Sequence, residues 1–485
     1  MRRVILVLID GLRPDVAEER LEAGDLPHLA AMLEPGGMSR AVTAFPSTTN
    51  VAYLPFLTGC TPGRCNVPAT RWLDRRTYGG RPWHDRDAVR SYCGYQSARL
   101  DDDFPPDVRT IFELVPESLA VFTPISRGLT PERDPSQQQR KLWGAIAHLV
   151  VPLHQHADDI VGRYLLRAVD MPWRFIFAQF PGVDGFSHSY GVNARPVHQA
   201  LRRIDHVVGK LRRQLALRGE LDDTLILLVS DHGGARVHTH LDLADWFRAH
   251  KVPTLAHPIL WTRRPRAAVM VSGNGSATVY ARPNEPRRDR LPLTWLRRPE
   301  SFGASGDLVA ALTREPAVAL LAAESGDGGI RLVSREGEAE LRRIAGEVSY
   351  LPLTADPLSV GGPCLRPDRE WLDATWEDPF PDAAVQLLDQ FRASRTGDLV
   401  VVAKEGFDFR RRFEIPSHRA GHGSLVRAHM QIPLWASCPI PAEPLRSVDL
   451  FPSMLAWLGV DVPGGIDGQL VWHPGMSTSA ASLFA

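Results

Sequence analysis

The sequence predicts an α/β fold: a mostly parallel central sheet interrupted by a large inserted segment. Three observations carry this. Apolar runs at 2–10, 174–185 and 224–234 each deliver a carboxylate into a glycine-containing loop. The last two flank a helix-period segment at 196–219, a length suited to a parallel crossover. Composition then changes from Pro253 to Asp398, where Pro-, Arg- and Gly-rich loops replace that alternation.

The elements follow in chain order. VILVLI (Val4–Ile9) is apolar without alternation, as a strand buried on both faces must be. Asp10 and Gly11 end it, so the run is too short for a secretory or membrane-spanning segment. FPSTTNVAYLPFLTG (Phe45–Gly59) opens with Ser47, Thr48, Thr49 and Asn50 and continues as an apolar helix. An N-cap explains such residues adequately when they stand alone. Between the second and third strands, Leu201, Ile204, Val207, Val208, Leu211 and Leu215 recur at helical spacing, and Gly219 stops the helix. The inserted segment opens with a hairpin turning at Gly273–Ser276 and continues with helices, including the run Leu308–Ser325. The core is expected to comprise 1–252 and 399–485, with 253–398 as the insertion or cap.

The chain has 485 residues, with 56 Lys plus Arg against 56 Asp plus Glu, so charge gives no argument for a nucleic-acid polymer or an anionic membrane as partner. The basic clusters Trp261–Arg266 and Arg410–Arg412 read as solvated faces. Five cysteines without CxxC spacing argue against a disulfide framework and a zinc ribbon, and fit a reducing compartment. A cytoplasmic protein is the expectation.

Open α/β sheets bind ligands beyond the carboxyl ends of their strands, which is where Asp10, Asp184 and Asp231 fall. Asp184 and His188 stand four apart, on one face of a helical turn. His232 follows Asp231, and His422 lies between two glycines in GHGSL. Each has an ordinary explanation taken singly, and His238, His240 and His418 compete nearby. Together they form three carboxylates and three imidazoles, a set suited to two zinc ions.

VLIDGLRPD, FPSTTN with FLTG, GVDGFSHSYG, SDHGG, GHGS and VDLFPSMLAWLGV together resemble the alkaline phosphatase superfamily. Within it they resemble the nucleotide pyrophosphatase/phosphodiesterase (type I phosphodiesterase) branch. The resemblance implies a three-layer αβα sandwich and hydrolysis of small-molecule phosphoric esters. It implies one metal held by Asp184, His188 and His422, and a second by Asp10, Asp231, His232 and the nucleophile oxygen. In the family frame set by Phe45-Pro46 and Thr58-Gly59, Thr49 is that nucleophile, forming a phospho-threonine intermediate; Thr48 is the next candidate.

The sequence departs from the branch at four points. Asn50 stands where nucleotide-cleaving members carry an aromatic that stacks on the base. Val51-Ala52 replaces Pro-Asn, Cys65-Asn66 replaces His-Gly, and Thr70-Arg71 stands where an Asn is expected to touch phosphate. No metal ligand is lost, which argues against a catalytically dead binding module. Asn50 and Arg71 become the candidate substrate-binding residues, and Trp72, Phe186 and Tyr190 are aromatics beside the site motifs. Thr49-Asn50 also resembles phosphonoacetate hydrolase, so phosphonate or phosphomonoester hydrolysis, or transfer to an alcohol, are alternatives to phosphodiester hydrolysis.

Overall fold

The structure is a computed structural model that describes residues 1–33, 37–81, 86–146, 153–412, 414, 417–441 and 444–473. Two sheets organise it. The first has seven strands, including β1 (Arg3–Ile9), β2 (Gly37–Val42), β3 (Ser118–Val121), β4 (Phe175–Phe180) and β5 (Thr224–Val229). Strands β5, β1, β4 and β3 lie side by side and parallel, with Val4 opposite Phe175 and Leu225. Gln431–Ala436 then runs antiparallel against β5, and β2 antiparallel beyond it. Every residue from Val4 to Ile9 is buried, which is why β1 reads as an unbroken apolar run.

Helices cover both faces of this sheet. On one face pack α1 (Leu54–Thr58) and the helix Leu450–Leu458, through Phe56, Leu57, Met454 and Leu455. On the other lie α2 (Leu153–Ala168), α3 (Gly182–Tyr190) and α4 (Arg195–Leu217). The crossover from β4 through α3 and α4 to β5 is the expected parallel unit, and Leu201, Ile204, Val208, Leu211 and Leu215 face the core.

The second sheet has nine strands, antiparallel except for the pair formed by Thr254–Ala256 and Ala267–Ser272. The expected hairpin is present, with Ala267–Ser272 paired to Ser276–Ala281. Two expectations change. Leu308–Thr313 is a helix, but Val318–Glu324 is a strand paired on both sides. Pro316 separates the two, and an Ala/Leu run has no period that distinguishes a buried strand from a helix. Leu399–Ala403, expected to open the return to the core, lies in the middle of this second sheet between Ser276–Ala281 and Val318–Glu324.

Polar contacts tie the second sheet's helices to the first unit. Arg446 donates from Nε and Nη2 to the fully buried Asp382 at 2.8 and 2.7 Å. Asp382 also accepts from Gln386, whose Oε1 receives the backbone N–H of Phe45 at 2.9 Å. A guanidinium left buried without its carboxylate costs far more than an exposed pair does. Asp382→Asn is therefore expected to lower stability by about 3–5 kcal/mol in chemical denaturation. Asp170→Asn, at the exposed pair with Arg218, is expected to leave stability almost unchanged. Equal losses would show that Asp382 is not a fastening point.

Candidate metal centre

The three hydroxyls of the Ser47–Thr49 run have three different partners. Ser47 Oγ donates to the Ser424 carbonyl at 2.8 Å, and Thr48 Oγ1 lies 3.1 Å from Thr70 Oγ1. Both residues are buried, whereas Thr49 is half-buried. Thr49 Oγ1 lies 3.2 Å from Asp10 Oδ1 and 3.1 Å from His232 Nε2. None of the three caps a helix. Asn50 takes a left-handed conformation with φ 73°, a single 3₁₀ turn covers Val51–Tyr53, and α1 begins only at Leu54.

The expected acids and imidazoles converge around Thr49. His232 Nε2 lies 3.4 Å from Asp10 Oδ1 and 3.3 Å from Asp231 Oδ2. His188 Nε2 lies 3.1 Å from Asp184 Oδ2, and His422 Nε2 4.0 Å from Asp184 Oδ1. Two groups have ligand atoms mutually within 4.8 Å: Asp10, Asp231 and His232, and Asp184, His232 and His422. His232 therefore faces both, and its ring stacks on that of His422 at 3.7 Å.

The far nitrogens of the imidazoles carry the chemical argument. His232 Nδ1 faces the Gly233 carbonyl at 2.8 Å, His188 Nδ1 the Ala420 carbonyl at 2.8 Å, and His422 Nδ1 the Ser47 carbonyl at 3.1 Å. A carbonyl only accepts, so each Nδ1 carries the proton and each Nε2 of a neutral ring presents a lone pair. Those lone pairs point at carboxylate oxygens, which are also acceptors. The arrangement suits cations between them, and orientation of a ligating histidine by a carbonyl at its other nitrogen is a usual feature of metal sites. Burial, followed by the charges of Asp231 and Asp184, pushes Asp10 well above the carboxylate range. Burial and Asp184 push Asp231 up to about 8, while burial and His232 push His422 well down. Asp231 Oδ2 finds no hydrogen-bond partner among the described residues. The donor set thus fits positive ions and is unfavourable without them.

Close backbone approach shapes the loops. Gly11 has φ +70°, and a Cβ there would come within 2.7 Å of Asp184. Gly273 has φ +56°, and a Cβ would lie 2.7 Å from His422 Nδ1. The hairpin turn of the second sheet is therefore part of the site: His422 N–H donates to Gly273 O, and Gly275 N–H to His422 O. His418, the competitor to His422, stacks on His188 at 4.1 Å and pairs with Glu414 at 3.1 Å.

Asn50 and Arg71 have other partners. Asn50 Nδ2 donates to the Tyr92 carbonyl at 3.1 Å. Arg71 is buried and donates to Val271 O at 3.0 Å and to Cys93 Sγ at 3.1 Å. No hydrogen bond joins either to the six candidate ligands among the described residues. Trp72 is core, with Nε1 bonded to Tyr92 Oη. Phe186 packs on His154, and Tyr190 is exposed.

Supporting residues escaped the sequence reading. Gln179 Nε2 and Tyr53 Oη both donate to Asp10 Oδ2, at 2.8 and 3.1 Å. Gln179 left a signal, as the one polar residue inside the β4 run Phe175–Phe180. Asp158 left none: it sits on α2 and accepts the Gly182 N–H at 2.9 Å, capping from outside the helix that carries Asp184 and His188.

Buried and half-buried carboxylates and imidazoles at the ends of a parallel sheet, with a hydroxyl among them, fit the class to which the family match assigns the chain: a phosphoric ester hydrolase of the alkaline phosphatase superfamily. Residues 4–318 match the family model for type I phosphodiesterase / nucleotide pyrophosphatase, and the chain belongs to that family. No curated protein matches the sequence. Among solved structures, phosphonoacetate hydrolase from Sinorhizobium meliloti 1021 is similar at 14% identity and TM-score 0.57, covering 94% of this chain and 96% of that one. Murine ectonucleotide pyrophosphatase / phosphodiesterase 5 is similar at 14% and TM-score 0.56, covering 97% and 98%, and the human protein of that name at 13% and 0.56. At such identities these likenesses speak for the fold. No helix among the described residues is long and apolar enough to cross a membrane.

Burial pushes the Asp158 carboxyl up to about 8, so the folded state favours its protonated form. The unfolded carboxyl titrates near pH 4, so the stability this group contributes is full below about pH 4 and is lost as pH rises through about 8. Asn mimics the protonated acid. Asp158→Asn is expected to melt with the wild type near pH 4 and above it at pH 8–9. Melting curves that run parallel from pH 4 to 9 would place the Asp158 proton elsewhere.

Proposed function

We propose that this protein hydrolyses phosphodiesters with two zinc ions, through a phospho-threonine formed on Thr49. The single observation that carries the reading is the position of Thr49 Oγ1, the half-buried hydroxyl of its run, between Asp10 and His232 at 3.2 and 3.1 Å. Asp10, Asp231 and His232 would hold one ion, and Asp184 and His422 the other, with His188, 3.1 Å from Asp184, completing that set and His232 facing both groups. When bound, the ions supply Lewis acidity that lowers the pKa of a hydroxyl and stabilises developing charge on oxygen.

This chain's residues do the rest. Gln179 and Tyr53 hold Asp10 so that its Oδ1 faces Thr49. The carbonyls of Gly233, Ala420 and Ser47 keep the imidazoles in one tautomer. Thr49 Oγ1 forms the bond to phosphorus as the ester oxygen leaves, and water then cleaves the phospho-threonine. A reacting group of one negative charge suits this site. Two zinc ions bring four positive charges, and Asp10, Asp184 and Asp231 offset three, leaving too little for a dianionic monoester.

Thr49→Ala is expected to lower kcat by several orders of magnitude while metal analysis still finds about two zinc equivalents per chain. Near-native turnover in Thr49→Ala, with loss in Thr48→Ala, would move the nucleophile by one residue. Asp231→Ala and Asp184→Ala should each remove about one equivalent. The kcat/KM for a methyl aryl phosphate should exceed that for the matching aryl phosphate at one pH and metal load. A clear monoester preference would transfer the protein to the phosphatase reading.

A further inference from the structure

A small cavity of about 30 Å³ has walls that include Arg71, Arg248, His257, Arg410 and Arg412. Most of these cations have carboxylate partners. Arg248 and Arg412 both pair with Asp245, at 2.7 and 2.9 Å, and Arg410 pairs with Glu414 at 3.1 Å. Asp242, also in the wall, is occupied by the backbone N–H groups of Asp245, Arg411 and Arg412. Arg71 differs. It is 8% exposed, its guanidinium meets only a carbonyl and a sulfur, and its Nε has no partner among the described residues. His257 Nδ1 in the same wall has none either. A buried guanidinium without a counter-charge is costly, and a fixed planar donor fork is suited to an oxyanion.

The surroundings respond to this unbalanced charge. Burial and then Arg71 lower Arg410 to about 10 and His257 to about 3. Three links run from the cavity wall toward the Ser47–Asn50 run and His422. Cys93, which meets Arg71, follows Tyr92, whose carbonyl holds Asn50. Val271, the other partner of Arg71, lies two residues before Gly273, which packs on His422. Thr70, adjacent to Arg71, is bonded to Thr48.

We propose that Arg71, with Arg410 and His257, binds a small oxyanion, a carboxylate or a non-reacting phosphate, in this cavity, which the Thr70–Thr48 and Tyr92–Asn50 contacts link to the segment of Thr49. The cavity's volume is on the scale of one such group. The inference rests on the phosphodiesterase reading only for the source of the anion: it is carried on the leaving group of the substrate, or it is a free anion.

Sulfate titrated calorimetrically into the zinc-loaded protein tests the cavity itself. Arg71→Gln should weaken the binding at least about tenfold, and Arg71→Lys by less. Sulfate binding of unchanged strength in Arg71→Gln would place the anion at the metals and overturn the proposal. Should Arg71→Gln not fold, Arg410→Gln is expected to show the same loss, and unchanged binding there overturns it equally. Kinetics identify the source, with methyl aryl phosphates that do or do not carry a carboxylate on the leaving ring. Sulfate competing only against the carboxylate-bearing diester assigns the cavity to the substrate; sulfate changing both rates alike assigns it to a free anion. No advantage for the carboxylate together with no sulfate binding sinks the idea. Arg71-dependent sulfate binding in a protein that hydrolyses no phosphoester would leave the cavity standing and remove the phosphodiesterase reading alone.

Discussion

Asp10 and Asp231 are buried with the half-buried Asp184 beside them, and like charges in a poorly solvated pocket repel. Folding brings them together because three loops of one sheet end at the same edge. Much of the local structure accommodates that repulsion. Gln179, Tyr53 and the Gly11 N–H donate to the carboxylates, and three imidazoles turn their Nε2 lone pairs inward. Neutral donors spread the charge without cancelling it, so the pocket is organised for cations.

The same constraint explains the reach of the second sheet. Its hairpin turn at Gly273–Gly275 holds the His422 loop through backbone hydrogen bonds on both sides. The strand leading into that turn supplies the Val271 carbonyl that holds Arg71. One hairpin therefore supports a candidate metal ligand, His422, with its tip and the wall of the Arg71 cavity with its edge. The Asp382–Arg446 pair and the Gln386 contact to Phe45 fix this sheet's helices to the segment that carries Thr49.

Several features were open to reading because they depend on local chemistry. A strand buried on both faces must be apolar throughout, so Val4–Ile9 and Thr224–Val229 declared themselves, and an acid just past each marked the sheet's working edge. The run Val318–Glu324 was misread because alanine and leucine serve a buried strand and a helix alike. Arg410–Arg412 looked like a solvated cluster, yet Arg410 is half-buried in a cavity wall. Nothing in a charge run indicates which member faces inward.

By itself the sequence determined the parallel sheet, the acids at its strand ends, and the candidate ligands, because backbone periodicity and residue chemistry are written locally. Through the family frame it also singled out Thr49 as the candidate nucleophile within one short run of hydroxyls. Only the tertiary structure gave the three hydroxyls their different partners, which lie 377, 22 and 39 positions away from Ser47, Thr48 and Thr49. Only it showed the tautomers of the histidines, the cap that Asp158 provides for the Asp184 helix, and the missing counter-charge of Arg71. Each of those rests on a contact between segments distant in the chain, and sequence spacing carries no record of such contacts.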